Sequence, residues 1–262
     1  MAMLPTPLTS HVSYDQVYEP AEDSYLLLDT LSSGTETAFL RAHFSGHPSV
    51  PLVLEVGTGS GVVLAFITAH AEHVLGRSDV VTLGTDLNIF ACGAASVTVV
   101  DAVEATQSMP SSEAREDTIP KPGSGVFLDT LKMDLASSCR PNIVDILIFN
   151  PPYVPTEHLP TAHTEESSTQ TTFDRDSHLL SFSYAGGTDG MEVTNRLLSQ
   201  LPSILSPDRG VAYVLLCAQN RPEEVKSRIR EWEGGWCAET VGGSGKKAGW
   251  EKLSIIRIWK GV

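Results

Sequence analysis

The most specific feature of this 262-residue chain is the run Asn150-Pro151-Pro152-Tyr153. Two consecutive prolines remove two backbone donors and stiffen the chain. The carbonyls of Asn150 and Pro151 are then free to face outward, and the Asn150 side chain adds another acceptor. Such acceptors can hold an NH2 group by both of its hydrogens. Tyr153 offers a flat face for a planar group and a ring that can favour a nearby sulfonium cation. The chemistry this suits is methyl transfer to an amide or amine nitrogen. An amide nitrogen is a poor nucleophile because its lone pair is delocalised into the carbonyl. No ordinary side-chain base deprotonates it. A site can instead align nitrogen and methyl carbon in a water-poor slot and stabilise charge growing on the NH2. Acceptors do the latter, so no acid–base dyad is required. As packing alone, the segment would be a rigid turn after a strand.

A second segment, Glu55-Val-Gly57-Thr-Gly59-Ser-Gly61, lies between an apolar run and a helical pattern. Glycines let the chain turn tightly and let a ligand approach the backbone. A dinucleotide fingerprint wants G-x-G-x-x-G, and the third position of that pattern is Val62, so the match fails. Glu55, before the glycines, is an acceptor suited to an ammonium group and not to a pyrophosphate. Asp86 follows Gly61 at the end of the next strand, where a carboxylate can accept two ribose hydroxyl bonds. Asp134, after a third strand, can accept from an adenine amino group or cap a loop. No two of the four cysteines are spaced as a zinc pair, and the eight histidines add no metal-ligand spacing.

The elements that must position these residues alternate. Strands are expected at Leu52–Val56, Val80–Leu83, Val126–Met133, Val144–Phe149, Gly210–Cys217, Cys237–Val241 and Leu253–Trp259. Helices are expected after Tyr18 with Pro20 at the first helical position, over Gly61–His70, from Ile89 to about Val99 with Asn88 as cap, and over Met191–Leu201 and Pro222–Trp232. This pattern predicts an α/β fold with a mostly parallel seven-stranded sheet covered by helices on both faces. Ligands of such sheets bind at the carboxyl ends of the strands, which is where the marked segments fall. Residues 1–13 read as a flexible lead to one domain over 14–262. The aperiodic polar stretches 101–124 and 156–177 read as surface insertions.

Apolar residues make up 41% and charged residues 19%, as in a soluble enzyme with a sizeable core. The start shows no signal-peptide pattern, and Val211 to Ala218, the longest strongly apolar run near the C-terminus, is too short for a bilayer. Reduced thiols in cytoplasm, or nucleus, are the default. The net charge of −14 and the lack of basic clusters argue against direct nucleic-acid binding.

Together with Tyr18-Glu-Pro-Ala-Glu-Asp-Ser24 and Ala185-Gly-Gly-Thr-Asp-Gly190, the two motifs resemble the eukaryotic HemK-type class I (Rossmann-like) methyltransferases. The resemblance runs from about Tyr14 to Lys260. It implies S-adenosylmethionine as cofactor, held by Ser24, Glu55, Gly57, Gly59, Gly61, Asp86, Asp134, Leu135 and Asn150. Asn150, Pro151, Pro152, Tyr153 and Val154 would hold the glutamine of the Gly-Gly-Gln loop of a class I translation release factor. Ser24 stands where the family commonly has Thr, which keeps the hydroxyl. The resemblance also implies a small zinc-binding activator of the Trm112 type and an edge position for the third strand. Val126–Lys132 lacks the prolines and multiple charges that usually guard an edge, so strand addition there is the expected docking mode. Other acceptors stay open: an adenine N6 in DNA also presents NH2 on a flat ring, and a protein lysine needs room for an ammonium. A regulatory subunit that binds cofactor without transfer, and a nicotinamide oxidoreductase, are the remaining readings.

Overall fold

The computed structural model describes residues 4–44, 46–108, 123–161, 171–245 and 252–261. Seven strands form one sheet in the order β3-β2-β1-β4-β5-β7-β6. They are β1 (Leu52–Val56), β2 (Val81–Asp86), β3 (Val126–Lys132), β4 (Ile146–Phe149), β5 (Val211–Cys217), β6 (Trp236–Gly243) and β7 (Leu253–Lys260). The first five are parallel, and β7 runs antiparallel between β5 and β6. This is the class I methyltransferase sheet, and its strand order reverses at β1 and β4.

The central strands read as unbroken apolar runs because both of their faces are covered. Val53, Ile146, Ile148, Val211, Tyr213 and Leu215 enter one core with helices α1 (Glu22–Leu31), α2 (Gly34–Phe44), α3 (Val62–Ala69) and α4 (Ala71–Leu75). Their neighbours Leu54, Val56, Leu147, Phe149, Ala212, Val214 and Leu216 point the other way. They meet α7 (Glu192–Ile204) and α8 (Pro222–Arg230). The period of two thus divides one sheet between two cores. Helix α5 (Ile89–Ser108) has the length and apolarity of a bilayer span, yet it packs on α3, β2 and β3 within the domain.

Several boundaries differ from the sequence reading. Residues 4–13 are not a loose lead: His70 Nε2 lies 3.1 Å from the Pro5 carbonyl and His11 Nε2 3.1 Å from that of Ala94. Val12 is buried with Val17 and Ala91. Those partners are distant in sequence, so local polarity conceals them. Pro20 precedes α1, whose N-cap is Ala21. Helix α2 was not expected. Leu40 and Phe44 anchor it in the core, and its buried Glu36 accepts from Tyr213 Oη at 2.8 Å and from Arg257 at 2.9 Å. The stretch 101–124 opens as the continuation of α5 to Ser108, and its residues 109–122 lie outside the described residues. Within 156–177, residues 162–170 are likewise outside, and Thr172 begins α6 (Thr172–Tyr184). That helix buries no residue, so it carries no apolar stripe to betray it.

Candidate active site

A cavity of about 360 Å³ opens above the carboxyl ends of β1, β2 and β4. Its floor is the turn from β1 into α3. Gly57, Gly59 and Gly61 all take positive φ, at 69°, 51° and 80°. Gly61 is the left-handed N-cap of α3 and has no side chain with which to cap it. Glu55 supplies that bond from the strand, with Oε2 accepting from the Leu64 N–H at 2.8 Å. Burial at 2% exposure pushes the Glu55 carboxyl well above its ordinary value, only partly opposed by the Leu64 bond and reinforced by Asp86.

Gly57 and Gly59 line the cavity; Gly61 does not. A Cβ on Gly61 would lie 2.5 Å from the Cα of Ala95. Glycine is therefore required here by the approach of α5. The α5 helix itself starts as expected, with Asn88 Oδ1 accepting from Phe90 N–H at 3.0 Å.

Asp86 closes the turn from the β2 side. Its two oxygens accept from the N–H groups of Gly59, at 2.9 Å, and Asn88, at 2.8 Å. Each oxygen retains a second lone pair for a ligand hydroxyl. Burial raises the Asp86 carboxyl as well, against these backbone bonds. Asp134 and Leu135 lie beyond β3. Asp134 Oδ2 is paired with Arg196, while Oδ1 is buried without a partner. Leu135 is held at φ 53°, and its carbonyl accepts from Thr85 Oγ1 at 3.0 Å. A non-glycine residue in that region is strained and persists where the surroundings impose it.

The opposite wall follows β4. Asn150 and Pro152 line the cavity. Pro151 is buried, and Tyr153 packs its ring against the core beneath α1. Pro151, Tyr153 and Val154 thus shape the wall without lining the cavity. The Asn150 side chain donates from Nδ2 to Asp23 at 3.1 Å, and its Oδ1 is buried with no partner. Ser24 also lines the cavity, its hydroxyl donating to Asp23 Oδ1 at 3.2 Å.

The Ala185–Gly190 segment backs this wall. Val154 and Ala185 form a bridge, and Gly186 N–H donates to the Val154 carbonyl at 2.8 Å. A Cβ at Gly190, where φ is 67°, would collide with the Tyr153 carbonyl oxygen. Asn220, from the turn after β5, donates Nδ2 to that same carbonyl at 3.2 Å and to the Asp189 carbonyl at 3.0 Å.

Three contributors escaped the sequence reading. Residues 16–18, before α1, reach into the cavity, with the Gln16 carbonyl accepting from Asn88 Nδ2 at 2.7 Å. Helix α6 forms the roof through Leu179, Leu180 and Phe182, and Gln16 Nε2 donates to its Asp176 at 3.1 Å. Asp23 enters the sequence reading only as a member of the Tyr18–Ser24 motif, with no role of its own. Its position between Glu22 and Ser24 in the quoted motif was the available signal.

The cavity presents a buried carboxylate at Glu55, a half-buried one at Asp86 and two orphaned acceptors at Asp134 and Asn150. An aminoacyl-nucleoside that carries ammonium, hydroxyl and amino donors, and a positive centre, is complementary to that donor-poor set.

Comparison with known proteins agrees. The chain is 34% identical to the eRF1 methyltransferase catalytic subunit mtq2 of Schizosaccharomyces pombe, over 98% of this chain and 96% of that one. It is 30% identical to the human methyltransferase HEMK2, over 97% and 96%. A Methanocaldococcus jannaschii chain, provisionally named a protein N5-glutamine methyltransferase, is 25% identical over 94% and 93%. No family model matches.

Proposed function

The chain belongs to the HemK-type methyltransferase family that holds HEMK2 and the Mtq2 catalytic subunit, and on that premise we propose that it methylates a glutamine side-chain amide of a translation release factor. The observation that carries this reading is the buried, unpartnered Oδ1 of Asn150 on the cavity wall. A buried acceptor without a donor is costly, and an incoming NH2 group removes that cost. The names of the relatives, eRF1 methyltransferase and N5-glutamine methyltransferase, point to the same acceptor.

S-adenosylmethionine, when bound, supplies an electrophilic methyl group on a sulfonium centre. In this chain Glu55 would take the ammonium, Asp86 the ribose hydroxyls and Asp134 the adenine amino group, with Gly57, Gly59, Ser24 and Leu135 completing the contacts. Asn150 Oδ1 would accept from the substrate NH2, orient it, and stabilise positive charge as the nitrogen acquires a fourth bond. Pro151 fixes the turn, and Pro152 limits water on that side. Tyr153 and Val154 hold the wall in place.

The activator partner is read onto the β3 edge. Val126 and Leu128 there are both 57% exposed, and Phe90, Val97 and Val100 of α5 extend the apolar surface beside it. A Trm112-type protein would cover it by strand addition. Expression without that partner should give a poorly soluble chain, and a soluble, fully active monomer would remove the need for it.

The deciding experiment is methyl transfer from labelled cofactor by the full chain co-expressed with a Trm112-type protein. The acceptors are a release factor, its variant with arginine for the glutamine of Gly-Gly-Gln, and unmethylated DNA. Label on the release factor that is lost in the variant is the expected result. Label on DNA, or retained on the variant, would move the acceptor to adenine or another side chain.

A further inference from the structure

We propose that Asp23 is a positioning residue that fixes and polarises the amide of Asn150, an inference that rests on Asn150 being the acceptor of the substrate NH2. Asp23 is 3% exposed, and five donors converge on its carboxylate. Oδ1 accepts from the N–H and hydroxyl of Ser24, at 2.6 and 3.2 Å. Oδ2 accepts from Tyr18 Oη at 3.1 Å, Tyr153 Oη at 3.4 Å and Asn150 Nδ2 at 3.1 Å. The last of these spans 127 positions of sequence.

An asparagine amide can be turned over at little steric cost, exchanging its donor and acceptor ends. Beside a carboxylate it cannot. Turned over, the Asn150 oxygen would face the Asp23 oxygen, two acceptors with no proton between them, and the NH2 would face the cavity. The carboxylate therefore selects the orientation that leaves Oδ1 bare in the cavity, which is the orientation observed. It also strengthens that acceptor. Hydrogen bonds in series polarise one another in a low-dielectric setting, so donation from Nδ2 to a carboxylate adds negative charge at Oδ1. Tyr153 is engaged by the same oxygen, so one carboxylate ties both ends of the Asn-Pro-Pro-Tyr turn to α1. The preference this builds is for an N–H donor over an acceptor at the reacting group. A site without the clamp would offer donor and acceptor ends alike.

The test is a double-mutant cycle on methyl transfer by the full chain. Asp23→Asn should lower kcat by about tenfold to a hundredfold, as for a misplaced reacting group. Cofactor Kd should stay within about twofold, and the loss should fall more on kcat than on KM for the release factor, because the oriented acceptor matters most as charge grows on the NH2. In an Asn150→Ala background the same change should have no further effect, because Asp23 acts through Asn150. Losses that multiply, or an unchanged kcat, would overturn the proposal. Asp23→Glu, which keeps the charge and moves it by one methylene, should repeat the loss and serves if Asp23→Asn does not fold. A readout free of substrate is the Asn150 NH2 proton resonance in selectively 15N-labelled protein. It should lie downfield in the native chain and move upfield in Asp23→Asn at unchanged Tm. No movement refutes the clamp. Should the native chain fail to methylate a release factor, the substrate reading falls and this resonance still decides the role of Asp23.

Discussion

The two walls of the cavity are built by different means. On the β1–β2 side each carboxylate is held by backbone amides of the turns beside it: Leu64 for Glu55, Gly59 and Asn88 for Asp86. On the β4 side the acceptor is held by side chains from another part of the chain, with Asp23 and the tyrosines converging on one point. The first wall is fixed to main-chain amides: Leu64 and Asn88 lie near their carboxylates in sequence, and Gly59 meets Asp86 across 27 positions once β1 and β2 pair. The second exists only once α1 has docked on the sheet. A wall of the first kind suits binding a constant ligand. A wall of the second kind can be rotated or rebuilt by one substitution, and it carries the discrimination between acceptors.

That contrast can be broken at three places. Asn150→Ala removes the acceptor from the second wall and leaves the first intact. The expected result is a fall in kcat of about a hundredfold to a thousandfold, as when one preorganised hydrogen-bond partner of a transition state is lost. Cofactor Kd, by calorimetry, should weaken far less than kcat falls, since Asn150 is only one of several residues expected to touch the cofactor. An equal loss in Kd would mean that the walls are not separate.

Gly61→Ala strikes the first wall at its packing. The new Cβ meets Ala95 and the residue must hold φ 80°, so unfolding should be easier by about 2–3 kcal/mol. Denaturant midpoints at constant m would measure it. The cavity-lining contacts of Gly57 and Gly59 predict that bound cofactor recovers part of this loss.

The smallest effect is expected at Glu55→Gln, which keeps an acceptor for Leu64 N–H and removes the charge. Cofactor affinity should fall by about tenfold, roughly 1.4 kcal/mol. The pH dependence gives the sign. Glu55 in the folded chain holds its proton more tightly than at the ordinary 4.5 of an unfolded chain. Its contribution to stability is therefore fully present below about that pH, and is lost as pH rises through the raised folded value. The ionised form is the one that attracts an ammonium, so native affinity should strengthen over the same rise while stability weakens. The Gln variant should flatten both profiles. A native affinity that does not vary with pH would remove Glu55 from the ammonium contact.

The same contrast explains what could be read beforehand. The glycine turn, Asp86 and the Asn88 cap each sit at a strand end or helix start that short sequence patterns mark, although the Gly59–Asp86 bond spans 27 positions. The central strands β1, β4 and β5 announce themselves by apolar runs. Asp23 was legible as a residue of a motif but not as the partner of Asn150, since nothing within α1 reports a side chain 127 positions away. The packing demand on Gly61 was hidden for the same reason, because it comes from Ala95 on another helix. Residues 4–13 and α6 lacked any periodicity, the one being held by scattered single bonds and the other by a partly covered face. Ala185–Gly190 was recognisable as a motif, but its purpose, to admit the Tyr153 carbonyl, needed the third dimension.

One consequence attaches to α6. It is 13 residues long, buries no residue, and opens with a reciprocal cap between Thr171 and Asp174. A helix of that length is marginal in water by itself, and only the contents of the space beneath Leu179, Leu180 and Phe182 can give it a continuous apolar bed. Its amide hydrogens should therefore exchange with solvent far faster than those of β1 or β4, and slow down by the free energy of whatever occupies that space. The roof works as a gauge: its protection against deuterium measures occupancy without a label on any ligand.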